Sequence, residues 1–165
     1  MLFRSGIQSL DLLGRKVTMQ NGKALQVLAT AVSHTIREAA KHPSLSVIAL
    51  QLENELHRVQ RVLQFLQPKL VSGKIDDFLA DATVFMEMTG LIVIGWQWLK
   101  MGVAARNTLD TAPELASSTQ QMLNNTLHTL QFYFRYELSH TQSLEATICN
   151  EPTLTQLPLE AWENG

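Results

Sequence analysis

The chain has 165 residues, of which 45% are hydrophobic and 17% are charged, and this composition is typical of one globular domain or slightly more. The 13 Lys and Arg oppose 15 Asp and Glu, so the net charge of −2 offers no basic field that would attract nucleic acid. The single cysteine, Cys149, cannot form an internal disulfide or complete a zinc site. We therefore expect a cytoplasmic protein, since free cysteine suits a reducing compartment.

The most apolar run, Met88 to Trp96, is bounded by Glu87 on one side and by Gln97 and Lys100 on the other. It is much shorter than the ~20 residues that a membrane span needs. We predict a buried helix in a soluble core and no transmembrane segment.

Between the 8 Gly and 5 Pro, apolar residues recur at intervals of three and four, which is the helical period. A short first helix carries Ile7, Leu10 and Leu13 on one side. Four longer helices are predicted from apolar stripes within residues 25–39, 45–66, 76–107 and 116–138. The pattern predicts an all-α fold, an antiparallel up-and-down four-helix bundle with an additional N-terminal helix. The tail from Ser139 is predicted to be a loop or a frayed end.

The helix predicted from Asp76 to Asn107 is apolar on two faces, as expected for a helix in the middle of a bundle. Gly90, Gly95 and Gly102 would each cost roughly 1 kcal/mol of helix propensity in an exposed helix. We therefore expect a neighbouring backbone to approach this helix closely at the three glycines.

Residues that could carry chemistry are few. Glu137 and His140 have the Glu-x-x-His spacing of di-iron bundles, but the sequence holds no second copy, so we predict no metal site. Cys149 lies in the predicted tail, and no Gly-x-Ser-x-Gly turn or Gly-rich phosphate loop occurs. Trp96 and Trp98 point in different directions from a helix, which favours core packing over a cofactor clamp. The residues alone predict a helical bundle without an active site.

Three segments are similar to one known family. Gly6–Val17 reads GIQSLDLLGRKV, Thr89–Leu99 reads TGLIVIGWQWL and Phe132–Leu138 reads FYFRYEL. Their order and spacing resemble the large bacterial acyl-CoA dehydrogenases with an extended C-terminus, whose first segment reads GIQALDLLGRKV. The resemblance covers about residues 6 to 151.

The resemblance implies a flavoenzyme of which a glutamate removes the α proton of an acyl-CoA, FAD takes the β hydride, and electron-transfer flavoprotein collects the electrons. In that family the glutamate belongs to a Tyr-Glu-Gly-Thr-x-Gly-Ile-Gln motif, whose Glu and Thr positions are Leu2 and Arg4 here. Leucine has no basic oxygen, so we predict no catalytic residue in this chain. Gly6 and Gln8 belong to the flavin-adjacent end of the motif and are the cofactor-binding candidates. Their alternative interpretation is the start of a helix that packs on its neighbours.

The resemblance also predicts a division of the chain. Residues 6–40 would end the catalytic C-terminal helical domain, residues 41–151 would form an accessory helical bundle domain, and residues 152–165 would be a tail. We expect the C-terminal fragment of an FAD-dependent acyl-CoA dehydrogenase, with the native sequence replaced over residues 1–5.

The fragment is expected to be inactive alone and to bind no FAD stably, because most cofactor contacts would come from the missing domains and a neighbouring subunit. Its expected partners are the rest of the dehydrogenase chain and homo-oligomer subunits. Without its catalytic domain, the stripe of Ile7, Leu10 and Leu13 should be exposed or buried against another copy. The alternative hypothesis is a stand-alone, non-catalytic helical interaction module derived from the same domain.

Overall fold

The structure is a computed structural model that describes residues 2–20, 22–112, 114–151 and 155. These residues form helices and turns and no β-strand, which confirms the predicted all-α bundle. The helices in chain order are α1 (Leu2–Leu10), α2 (Lys23–Ala40), α3 (Ser46–Val71), α4 (Ile75–Leu79), α5 (Ala82–Thr111), α6 (Ser117–Phe132) and α7 (Thr141–Ile148). π-Helical turns follow α1 at Asp11–Lys16 and α6 at Tyr133–Glu137.

Helix α5 lies at the centre of the bundle, as its apolar pattern predicts, and contacts α1, α2, α3, α6 and α7. Its buried residues follow one another at intervals of three and four along one face. They are Ala82, Phe85, Met88, Ile92, Gly95, Leu99, Gly102 and Ala105. Partly buried neighbours such as Val84, Leu91 and Trp96 widen this face, so most of the helix circumference contacts protein.

Helices α4 and α5 together, Ile75–Thr111, have the length and composition of a membrane span, and one 18-residue window has a mean hydropathy of 1.6. The core helix of a soluble protein meets the same test, although only 33% of this window is buried inside the chain. Because α5 packs against five other helices, we interpret it as the core helix.

The glycines of α5 only partly match the expectation of close backbone approach. A Cβ atom at Gly102 would lie 2.5 Å from Cδ2 of Leu130, and one at Gly95 would lie 3.4 Å from Cδ1 of Leu138. Both contacts are with side chains and not with backbone. Leu130 belongs to α6, and Leu138 begins the 3-10 turn that precedes α7. At Gly90 no such neighbour lies within 4 Å, so the expectation is wrong there.

The helix predicted from Asp76 to Asn107 is interrupted once. Asp81 leaves helical geometry, with φ −104° and ψ 26°, and divides the predicted helix into α4 and α5. The preceding helix α3 continues through Pro68, which it holds in its last turn. It ends before Gly73, whose φ of +76° is a left-handed conformation that glycine adopts without steric cost.

The first helix packs against α5. Oγ of Ser9 lies 3.2 Å from Oγ1 of Thr83, and Leu13 is only 1% exposed. The apolar stripe predicted for the first helix is therefore divided. Leu13 is buried within its own chain, whereas Ile7 and Leu10 are exposed. The π-helical turn that begins at Asp11 supplies the physical reason, since a wider turn changes the direction of the side chains that follow.

The prediction of a loop from Ser139 is wrong. A 3-10 turn, Leu138–His140, leads into α7, where Thr141 and Ile148 are buried. The two prolines of this region, Pro152 and Pro158, come only after α7 has ended at Ile148. Of the tail predicted at residues 152–165, only Thr155 lies within the described residues.

Candidate functional site

An open groove of about 790 Å³ lies between α2, α3 and the α4–α5 pair. Its size is within the range of small-molecule sites in proteins. Most of its lining is aliphatic or aromatic and comes from three parts of the chain: Leu25, Leu28 and Val32, then Leu56, Val59 and Leu63, then Phe78, Ile92 and Val93.

The polar side chains of the groove are mostly amides. Gln60, Gln64 and Gln67 line it from α3, where their spacing of four and three residues places them on one side of the helix, and Gln26 lines it from α2. His57 is the one titratable side chain among the lining residues, which include no carboxylate, lysine, arginine or cysteine. The groove can therefore hold a neutral, apolar group, but it has no acid and base pair. Its two hydroxyl side chains, Thr18 and Thr89, donate hydrogen bonds to the backbone oxygens of Gly14 and Phe85.

The two residues predicted to contact a cofactor lie on α1, outside this groove. The backbone oxygen of Gly6 accepts a hydrogen bond of 2.8 Å from Oγ of Ser9, and a Cβ at Gly6 would meet no atom within 4 Å. The side chain of Gln8 is exposed. The assignment of both residues to a flavin stays a prediction.

The candidate metal ligands Glu137 and His140 form no metal site with Cys149 among the described residues. Within the part of the chain that the structure describes, no group of three or more His, Cys, Asp or Glu is placed to hold a metal ion. Glu137 and His140 lie where the π-helical turn passes into the 3-10 turn.

Burial and the nearby carboxylate of Glu145 raise the pKa of the Cys149 thiol. This thiol is therefore a poor candidate nucleophile, since the thiolate is the reactive form.

An ion cluster joins α3 to α7. The carboxylate of Glu145 accepts hydrogen bonds from Arg58 and Arg61, with 2.8 Å between its Oε1 and Nε of Arg61. Nε of Arg58 also donates to Glu55 at 2.9 Å. The bond from Arg61 is the largest cause of a lowered pKa at Glu145, where burial opposes it. The i,i+3 spacing of Glu55 and Arg58 is visible in the sequence, but their partner more than 80 residues away is not.

Two polar contacts fix the aromatic side chains around α5. Nε1 of Trp96 donates to Oγ1 of Thr35 at 2.8 Å, which ties α5 to α2. The hydroxyl of Tyr133 donates to the backbone oxygen of Leu91 at 2.9 Å, and burial raises the pKa of this phenol to about 12. These aromatic groups have structural partners, as the core-packing interpretation of Trp96 expects.

The sequence profile of the family described as acetyl-CoA dehydrogenase C-terminal like matches residues 28–158, which is most of the chain. The chain belongs to this family. No curated protein matches it.

The match with the acetyl-CoA dehydrogenase C-terminal like family confirms the resemblance to a C-terminal helical domain of acyl-CoA dehydrogenases. It includes the similar segments Thr89–Leu99 and Phe132–Leu138 and begins after Gly6–Val17. The cofactor candidates Gly6 and Gln8 and the division of the chain near residue 40 remain predictions.

Proposed function

We propose that this chain acts in the cytoplasm as the C-terminal helical part of an FAD-dependent acyl-CoA dehydrogenase, and that it contributes packing and assembly surfaces, not catalytic groups. The family match over residues 28–158 carries the proposal. The whole enzyme would introduce a double bond between Cα and Cβ of an acyl-CoA and pass the electrons to electron-transfer flavoprotein. Its other partners would be the preceding part of the dehydrogenase and further copies of itself.

The chemistry of the described side chains supports a non-catalytic role. Removal of an α proton needs a basic oxygen or nitrogen within hydrogen-bond reach of the substrate. The groove offers only His57, and the position at which the resemblance places the base is Leu2. The cluster around Glu145 is engaged in ion pairs between helices.

The described residues do not fit a complete flavin site. Gly6 has open space around it and Gln8 presents an exposed amide, so both could contact one edge of a flavin. Neither residue lines the groove. We therefore expect the isolated chain to be purified without colour and to bind no FAD stably. A preparation with flavin absorbance near one equivalent per chain would contradict this.

The upstream coding sequence tests the proposal. We expect the reading frame that precedes Gly6 in the source gene to continue for several hundred residues and to contain the catalytic glutamate four positions before that glycine. A complete gene that begins at Met1, with no dehydrogenase sequence before it, would refute the proposal.

One observation favours the second candidate function, a stand-alone interaction module. The segment before the family match packs on the bundle itself, since Leu13 is buried and Ser9 contacts Thr83. A module of this kind would fold and bind partners without a catalytic domain. The same upstream sequence discriminates between the two functions.

A further inference from the structure

The groove between α2, α3 and the α4–α5 pair leaves a row of apolar side chains partly uncovered. Leu25 and Leu28 line it from α2, Val59 and Leu63 line it from α3, and each of these side chains is only half-buried. Contact of such a surface with water is unfavourable, so a continuous apolar patch usually marks a place that another group covers. The chain itself supplies a group of suitable composition at one end of this groove.

An ion pair holds the chain after α7 beside that end. Oε1 of Glu151 lies 3.2 Å from Nζ of Lys69, which is in the last turn of α3. The next residue, Leu70, is the last residue of this helix that lines the groove. The chain has therefore passed from α7 to the level at which the groove begins.

A second contact lies four residues further along the chain. Oγ1 of Thr155 donates a hydrogen bond of 3.4 Å to Oδ1 of Asp81, between α4 and α5. Asp81 comes three residues after Phe78, which also lines the groove. The contacts of Glu151 and Thr155 thus place the chain next to the ends of both helices, α3 and α4, that form this part of the groove.

The ten residues after Thr155 lie outside the described residues and have a composition suited to an apolar groove. They read QLPLEAWENG and contain three large apolar residues, Leu157, Leu159 and Trp162. Pro158 disfavours helical geometry at the residue before it, so an extended conformation is favoured there. An α-helix with its side chains is about 10–12 Å wide, so an extended segment fits between neighbouring helices more easily.

The segment is long enough to reach most of the groove. Between Leu56 and Leu70 the groove follows α3 over 14 residues, or about 21 Å at the rise of an α-helix. Ten extended residues span up to about 33 Å. Trp162 comes seven residues after Thr155, a reach of up to about 23 Å, and can therefore contact the middle of the groove.

We propose that residues 156–165 bind in the groove of their own chain, with Trp162 against the apolar side chains of α2 and α3. The covalent link to Thr155 favours this occupant over a free ligand, because it gives the segment a high effective concentration at the groove. The two carboxylates of the segment, Glu160 and Glu163, meet no carboxylate among the groove residues. A neutral apolar ligand enters only when the segment has left. The inference goes beyond the proposed function and does not depend on it.

Photo-cross-linking tests where position 162 lies. In the 165-residue chain, p-benzoylphenylalanine replaces Trp162, and mass spectrometry identifies the residues to which it is joined after irradiation. We expect cross-links to the groove residues of α2 and α3. The same cross-linker in place of Phe132, an aromatic residue of α6 that is 50% exposed, is the control and should give no cross-link to the groove. A mixture of unlabelled and isotope-labelled chains shows whether each cross-link lies within one chain.

Thiol reactivity measures how completely the segment covers the groove. In a Cys149→Ser background, Gln67→Cys places the one thiol in the groove, and Gln51→Cys places it at an exposed position of the same helix outside the groove. N-ethylmaleimide should modify the groove thiol at a rate reduced roughly tenfold or more, since this thiol reacts only in the fraction of molecules whose segment has left. Leu159→Asp/Trp162→Asp should release the segment and make the two rates equal.

Circular dichroism checks that every variant stays folded. Cross-links from position 162 that avoid α2 and α3 would overturn the proposal, and cross-links to the groove of another chain would overturn it in favour of a second copy. Equal rates for the two thiols, with the segment unmodified, would show a groove open to free ligands and would also overturn it. A slow groove thiol that the two aspartates do not accelerate would show that a different group covers the groove. The upstream sequence tests the proposed function separately from all of these results.

Discussion

Replacement of Gly102 by alanine tests how closely α6 packs on α5. The added Cβ would lie 2.5 Å from Cδ2 of the fully buried Leu130, so the side chain of Leu130 must move. Overpacking of this kind costs about 1–3 kcal/mol, while alanine gains roughly 1 kcal/mol of helix propensity over glycine. We expect Gly102→Ala to lower the free energy of unfolding by about 1 kcal/mol.

Gly95 provides the matched control in the same helix. Its added Cβ would lie 3.4 to 3.7 Å from atoms of Leu138 and Tyr133, close to ordinary van der Waals contact. Gly95→Ala should therefore raise the free energy of unfolding by up to roughly 1 kcal/mol. Urea denaturation followed by circular dichroism, at one fixed protein concentration, measures both variants.

A double-mutant cycle identifies the atom responsible. Leu130→Ala removes the methyl group that the new Cβ meets, so Gly102→Ala should cost less in that background, by about 1 kcal/mol or more. If Gly102→Ala is as stabilising as Gly95→Ala, and the cycle shows no coupling, then Leu130 does not pack against Gly102 and the described α5–α6 contact is incorrect.

Three further predictions concern the polar contacts between helices. Thr35→Val removes the acceptor of the Trp96 indole and should cost roughly 1 kcal/mol in urea denaturation, whereas Thr35→Ser should cost less. The lowered pKa of Glu145 stabilises the fold above the carboxyl's ordinary pKa of 4.5, and this contribution is lost as the pH falls through the lowered value. Glu145→Gln should therefore flatten the dependence of stability on pH in acid, and an unchanged acid limb would argue against the α3–α7 cluster. The pKa of Tyr133, raised from 10.0 to about 12, favours the neutral phenol, so its contribution is complete below pH 10.0 and is lost as the pH rises to about 12. Tyr133→Phe should remove one high-pH step from the phenolate absorbance titration.

The central helix could be predicted from the sequence because its apolar spacing directly records burial. Phe85, Ile92 and Leu99 recur at the helical period and are all buried. Helix α7 could not be placed in the same way, because it is short and depends on tertiary contacts for stability. The ion pair of Glu145 with Arg61, on α3, is one of these contacts, and no local pattern indicates it.

The groove could not be predicted from the sequence, for a different reason. Leu63 and Leu66 belong to the same apolar stripe of α3, yet Leu63 lines the groove and Leu66 is buried in the core. The difference depends on how the neighbouring helices pack against α3 and not on residue type. An apolar side chain in a groove therefore has the same sequence signal as one in a core.

The charged side chains between α3 and α7 stabilise the fold, whereas the groove contains no such charged group. The cations Arg58 and Arg61 are neutralised by carboxylates within the bundle, so they hold helices together. The groove, by contrast, is lined by no carboxylate, lysine or arginine, and His57 is its one titratable side chain. Substrate proton transfer needs a charged or titratable group aimed at the reacting atom, whereas apolar contact needs only shape and exclusion of water. The groove is therefore suited to contact with an apolar group and not to proton transfer from a substrate.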